Sequence, residues 1–571
     1  MLVWRTVGIS AIILAILLTG CVRPDPSAGS GVTPQFEPAA GAKKRITLAI
    51  RGEPATLSAI IDSSGVGGTA GLAELEELIH VGMAEIVDNR VATRPRLAAS
   101  IPTLENGQWR TFPDGRMELT WKIRSDARWH DGTPVTSADL LFTAQVGQDK
   151  ELTVLSNNAY KFVDGVEAPD ASTLVVSWNR PFILADTMFS NGFALPLPRH
   201  ILEPVYLRDK ETFAEHPYWT EQFVGTGPFR VREFVRSSHT ILEAYDGYVL
   251  GRPRIDEIEV KFMNDPSVIV ANLLSGAVDM SLGRGLAPEQ AQEAERQWTG
   301  GKLDVTFGTS WTALYPQFVD PNPPVIANLQ FRRALMFATD RQQIVDSLAM
   351  GRTRVVSSYI GPNSPEFREV QSSLMEYLYD QRRAHELITS LGYARGADGQ
   401  YADAAGRPLT LEIRTTAGDE LRTNAMLAVA DMWKAIGMGA ETLMVPRQRA
   451  SDREYRVTRP GFELTHQPNE LTERALQRFQ SKELPTAAND WRGNNRSRYS
   501  SPEYDALVDG YVTTLDPRGR LELAKQINKH ISEQLPALGL LYRVELMLIA
   551  NRLEGVSAET SVRNAHEWNF R

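Results

Sequence analysis

Apolar residues along this chain recur either every second position or every third and fourth, and the two periods alternate from one end to the other. Ile46, Leu48 and Ile50 predict a strand opening the segment Ile46 to Leu57, which runs into a glycine-rich loop at Ser63 to Gly71. Leu72, Leu75, Leu78, Ile79 and Met83 then share one face at helical spacing. Leu119, Trp121 and Ile123 alternate again and predict a half-buried strand. His130 to Pro134 is turn chemistry, and Thr136 to Asp139 has capping-box spacing ahead of the apolar Leu140, Leu141 and Phe142. Further strands are expected at Thr173 to Trp178, Phe229 to Phe234, Ile255 to Phe262 and Leu409 to Thr415. Helices are expected at Phe331 to Met350, Ala384 to Leu391, Thr423 to Ile436 and Ser501 to Leu535, with a restart at Asp340 in the first. Alternating elements, short connections and no fixed repeat define an α/β chain rather than a solenoid or an all-α bundle.

The first residues carry a different pattern. Arg5 precedes an apolar run from Val7 to Leu18, too short to span a bilayer but suited to a signal peptide. The run ends in Leu18, Thr19, Gly20 and Cys21, which resembles the lipobox of bacterial lipoproteins. That resemblance implies removal of residues 1–20 and a lipid on Cys21. Residues 21–42 are rich in Pro, Gly, Ser and Ala and read as a flexible tether. Cys21 is the single cysteine among 571 residues, which excludes disulfides within the chain and thiolate zinc sites. The net charge of −9, without a long basic run, argues against nucleic-acid binding.

Several segments together resemble family 5 of the extracellular solute-binding proteins, the oligopeptide-, dipeptide- and nickel-binding type. Leu119 to Asp139, with its HDGTP turn at His130 to Pro134, is similar to the family's strand, turn and capped helix. Gly225 to Phe229 (GTGPF), Gly247 to Pro253, and Leu274 to Asp279 (LSGAVD) follow in the family's order. Phe331 to Leu335 with Thr339 to Arg341, then Tyr499 to Asp505 with Asp516 to Arg520, complete the series. The residue types in these motifs serve turns, caps and close backbone approach, so His130 and Asp131 are expected to build the fold rather than touch a ligand.

The resemblance implies a two-lobe, periplasmic-binding-protein-like α/β fold (class II, cluster C) with an inserted domain and a cleft between the lobes. Lobe 1 is expected to be split over 43–75, 190–300 and 530–571, with the inserted domain at 76–189; lobe 2 is expected at 301–529. It also implies capture of a small solute, peptide favoured, by hinge closure. Delivery to ABC permease subunits would follow, with the protein a monomer held to a bacterial membrane by Cys21 outside the cytoplasm. Peptide-binding members pair the ligand's ammonium with a second-lobe aspartate near a tryptophan. Pro460 to Glu470 is the corresponding stretch and has neither residue. Glu470 is the candidate replacement, with His466, Gln467 and Asn469 supplying hydrogen bonds.

Trp311 and Tyr315 are candidate cleft walls, against the alternative of core packing. Arg492 and Asn494 lie in a second polar loop, where Arg492 could meet a carboxylate. The glycines before Ala70, with Asp88 downstream, superficially resemble a dinucleotide fingerprint but lack an immediately preceding strand, and read as a loop near the cleft floor. Glu76 and Glu77 read as ordinary surface charge on their helix. No metalloprotease, nucleophile-elbow or phosphate-loop motif occurs, so no catalytic residue, cofactor or metal ligand is expected. A sensor or adaptor on the same fold and a secreted hydrolase are the alternative functions.

Overall fold

Two hydrophobic cores share one mixed sheet in the computed structural model, which describes residues 43–571 except 63–68, 88–91, 153, 156, 192, 284, 373, 447, 450 and 451. Cys21, the leader, the tether, Asp88 and most of the Gly65 loop lie outside the described residues. The sheet has ten strands. From one edge they run Gly439–Val445, Thr410–Thr416, Phe462–Pro468, Gly301–Pro316, Leu538–Ala550, Met280–Ser281, Arg45–Arg51, Glu257–Met263, His239–Ala244 and Phe229–Val235.

Two long strands carry the sheet from one core to the other. Gly301–Pro316 pairs antiparallel with Leu538–Ala550 from Gly301↔Ala550 to Leu314↔Leu538, with register shifts between Phe307 and Trp311 and between Thr312 and Ala313. Leu538, Leu540 and Leu541 pack in the second core, while Met547 and Ile549 of the same strand pack in the first. The first shift therefore falls where the ladder passes between the two cores, and the second lies beside Leu541, within the second core.

A smaller antiparallel sheet, ordered Trp109–Thr111, Met117–Lys122, Thr173–Trp178 and Val163–Asp170, has its own core. The expected alternation is present: every second residue of Met117–Lys122 and of Thr173–Trp178 is buried. Trp121, Trp129 and Trp178 are fully buried in this core, and Trp178 stacks on Phe182 with ring centroids 5.3 Å apart.

The motif residues are structural fasteners. His130 is buried; its backbone N–H donates to Gly225 O (2.9 Å), and its Nδ1 accepts from Gly225 N (3.2 Å). Nε2 then carries the proton and donates to Gly227 O (3.0 Å), so HDGTP and GTGPF are bound together through one neutral imidazole. Burial pushes that imidazole down to about 3. A Cβ on Gly227 would lie 2.4 Å from the carbonyl carbon of Ile79, which explains the glycine. Asp139 caps Ser137–Gln148 by accepting from Thr136 N (2.8 Å), and its other oxygen accepts from Arg199 N (3.0 Å). Buried Asp279 accepts from Thr47 N (2.9 Å) and takes both Nε and Nη2 of Arg552 (2.6 and 2.7 Å). Buried Arg332 donates to the carbonyls of Ile326, Ala327, Gln534 and Leu535, closing the end of helix Pro517–Gln534.

One predicted helix is two. Ser501 to Leu535 divides into Pro502–Thr513 and Pro517–Gln534, because Pro517 sits at the first helical position and Asp516 caps Gly519 N at 2.7 Å.

Candidate ligand-binding site

One second-lobe segment, running out of strand Phe462–Pro468 into helix Glu473–Leu476, borders three cavities in succession. Thr472 caps that helix by accepting from Ala475 N at 3.3 Å, which fixes the turn between strand and helix.

His466 and Gln467 border the first cavity, of about 310 Å³, facing Thr69 to Glu74 of the first lobe. His466 is held on both sides: Nδ1 bonds Thr312 Oγ1 (2.8 Å) and Nε2 bonds Asp419 Oδ2 (3.1 Å). Burial lowers the imidazole to about 4, so it is neutral, donating to Asp419 and accepting from Thr312. Asp419 stays far below the usual carboxylate range despite its burial, because His466 and Arg422 favour the anion. Gln467 Oε1 accepts from Arg478.

Asn469 and Glu470 border the second cavity, of about 220 Å³, opposite Trp109, Ile183, Leu184 and Asp186 of the smaller domain. Glu470 Oε1 accepts from Thr472 Oγ1 (3.3 Å). Burial raises Asp186 to about 6, opposed by a hydrogen bond from Thr93 (3.2 Å) and by the charge of Arg520.

The third cavity is the largest at about 770 Å³, within the range of small-molecule sites. Thr472, Glu473, Arg474, Gln477 and Asn494 enclose it from the second lobe. Glu76, His80, Tyr218, Trp219 and Phe223 do so from the first. Tyr218 and Phe223 stack at 5.2 Å, giving a rigid aromatic wall. Glu473 is raised by burial, and its Oε1 accepts from Gln477 Nε2 at 2.9 Å.

Glu76 corrects the reading of Glu76 and Glu77 as surface charge. Leu72 and Ile79 lie four residues before and three after Glu76, on the same buried face, so the helix turns this carboxyl inward. It is 9 % exposed, and burial pushes it up to about 7 against hydrogen bonds from Ala59 and Ser58. The helical phase carried that signal. Trp109, Asp186 and Glu473 carried none, since each reaches its cavity only through tertiary packing.

The remaining candidates do not gather at these cavities. Trp311 and Tyr315 are buried in a second-lobe cluster, where Trp311 Nε1 donates to Tyr315 Oη (2.9 Å). Trp311 borders a separate cavity of about 560 Å³ within that lobe. Arg492 is exposed.

Residues 93–481 match the family described as bacterial extracellular solute-binding proteins, family 5 Middle. The sequence is 22% identical over 570 residues to the oligopeptide-binding protein AppA of Bacillus subtilis (strain 168), covering 97% of this chain and 96% of that protein. The fold is similar to NikZ from Campylobacter jejuni in complex with Ni(L-His), with TM-score 0.72 and 20% identity, covering 92% of this chain and 100% of that one. It is also similar to an oligopeptide-binding protein from Thermus thermophilus complexed with a pentapeptide. There the TM-score is 0.68 at 23% identity, covering 89% of this chain and 92% of that one.

Proposed function

The chain belongs to family 5 of the bacterial extracellular solute-binding proteins, and on that premise we propose that it captures small peptides between its lobes and passes them to an ABC permease. The observation that carries the peptide assignment to this site is the 770 Å³ cavity, walled by aromatic rings and bordered by the buried carboxyls of Glu76 and Glu473. A peptide supplies apolar side chains for the rings and a cationic amino terminus or side chain for a carboxylate, which then gains the partner its burial demands. Glu470 and Asn469 offer a third carboxyl and an amide next to this chamber, and Asn494 reaches the chamber itself. Enclosure by both lobes makes binding and closure one equilibrium, biased by the solute's higher affinity for the closed form. Capture of this kind requires no catalytic group.

A thermal-shift screen of peptides, sugars and metal chelates against ligand-stripped protein tests this reading. A peptide at 100 times its Kd adds about 2.7 kcal/mol of stability. Peptides that shift nothing while a sugar or chelate does would overturn it. The Leu18 to Cys21 motif supports a lipid anchor at Cys21, outside the described residues. Mass spectrometry of the mature amino terminus after membrane extraction tests it; an unmodified Cys21 would refute it.

A further inference from the structure

On its first-lobe side the 770 Å³ cavity is walled by that lobe's own core: Val146, Leu155, Leu197, Tyr218 and Phe223 belong to both. The helix Leu72–Ile79 turns one carboxyl into this apolar surface, that of Glu76, which borders the cavity and is 9 % exposed. It accepts hydrogen bonds from Ala59 and Ser58, both neutral, and its charged neighbour is a second acid, Glu77. Across the chamber Glu473 is placed differently, with Lys161, Arg180 and Lys482 supplying positive charge around it. His80, buried and neutral, bonds Thr226 and Pro196, while Arg474 is exposed on the second lobe. Glu76 is thus hydrogen-bonded but has no paired cation among the described residues, and a buried carboxylate is stable only when a cation completes it.

Two cations of a peptide could do so. An amino terminus carries a main-chain carbonyl and amide close behind its charge, and an apolar wall leaves those groups unpaired. A basic side chain places its charge at the end of an alkyl stem, which packs on apolar surface and needs no hydrogen bond. A guanidinium is more weakly hydrated than an ammonium, and its planar fork meets a carboxylate and an aromatic face together. The rings of Tyr218 and Phe223, stacked 5.2 Å apart, supply such a face on the same wall. Resting on the peptide reading above, we infer that Glu76 selects peptides carrying a basic side chain, arginine above all, whose stem lies along the first-lobe wall and whose guanidinium meets the Glu76 carboxylate. The choice of side chain is then made by the first lobe, whatever the second lobe does with the peptide's main chain.

The probe is a pool of tri- to pentapeptides in which every arginine member has a twin carrying citrulline, its neutral isostere, and every member an amino-acetylated copy. Equilibrium dialysis at pH 8 against ligand-stripped wild type and Glu76→Gln, read by mass spectrometry, gives the retained ratio of each pair. Wild type should favour arginine over citrulline at least about ten-fold, and Glu76→Gln should retain the twins about equally, the signature of a shared contact. Amino acetylation should change retention by the same factor in both proteins. Twins retained equally by wild type, an arginine preference that survives in Glu76→Gln, or an acetylation effect that vanishes in the variant would each overturn the inference while leaving peptide capture standing. A Glu76→Gln chain that fails to fold would overturn it too, since the inference requires a carboxyl that destabilises the empty protein. Wild type that retains no peptide at all would overturn the functional proposal, and this inference with it.

Discussion

Replacing Glu76 by Gln should stabilise the ligand-free protein by an amount that grows as pH rises above about 4.5 and levels off above about 7. In the folded protein, burial raises the carboxyl to about 7 against an ordinary 4.5. Between those values the unfolded chain is ionised while the folded chain keeps its proton. Folding therefore takes up a proton, and stability falls as pH rises. At about 1.4 kcal/mol per pH unit over that interval, the ionised, buried carboxylate costs about 3 kcal/mol once pH passes 7. Gln keeps the shape and the acceptor for the Ser58 and Ala59 hydrogen bonds but carries no charge. Urea unfolding of stripped protein, followed by tryptophan fluorescence, should give Glu76→Gln and wild type equal stability near pH 4.5. At pH 8 the variant should lead by about 3 kcal/mol. A constant difference across that range, or a less stable variant at pH 8, would refute the burial argument. A cationic peptide should close the gap at pH 8 by stabilising wild type more than the variant.

Other consequences follow from the fasteners. His130→Ala strands the Gly225 N–H and Gly227 C=O, and should cost about 2–5 kcal/mol by urea unfolding at pH 7. His130 is depressed to about 3, so its contribution is complete above pH 6.5 and is lost as pH falls toward 3. His130→Ala should accordingly show a shallower acid limb than wild type. Gly227→Ala drives a Cβ into the Ile79 backbone and should destabilise far more than Gly132→Ala, whose Cβ meets nothing within 4 Å and whose φ of +89° costs only about 1 kcal/mol. Melting temperatures that rank the two alike would count against the packing account. Asp279→Ala removes the hydrogen bond from Thr47 N and the paired bonds from Arg552, and should cost about 2–3 kcal/mol in the same unfolding assay.

Much of the local fold was legible in the sequence because it follows from periods of two and 3.6. The strands at Met117–Lys122 and Thr173–Trp178, the cap at Asp139 and the helix restart at Asp340 all express such local rules. Glu76 was legible too, had its phase between Leu72 and Ile79 outweighed the habit of placing paired carboxylates outside. The site is another matter. Trp109 and Asp186 meet Asn469 at one cavity across some 280 to 360 positions of sequence, and no local pattern encodes such an encounter. Asn469 was recognisable as a polar residue in a plausible stretch; that its amide is buried and unpaired depends on the packing around it.

Peptide capture between the lobes can be read by native mass spectrometry of the protein beginning after Cys21. Under gentle conditions a population heavier than the bare chain should appear, and mild denaturation should release masses that fragment as short peptides. Released masses that fragment as sugars or metal chelates would contradict it, as would a bare chain that also stays bare after incubation with a peptide pool.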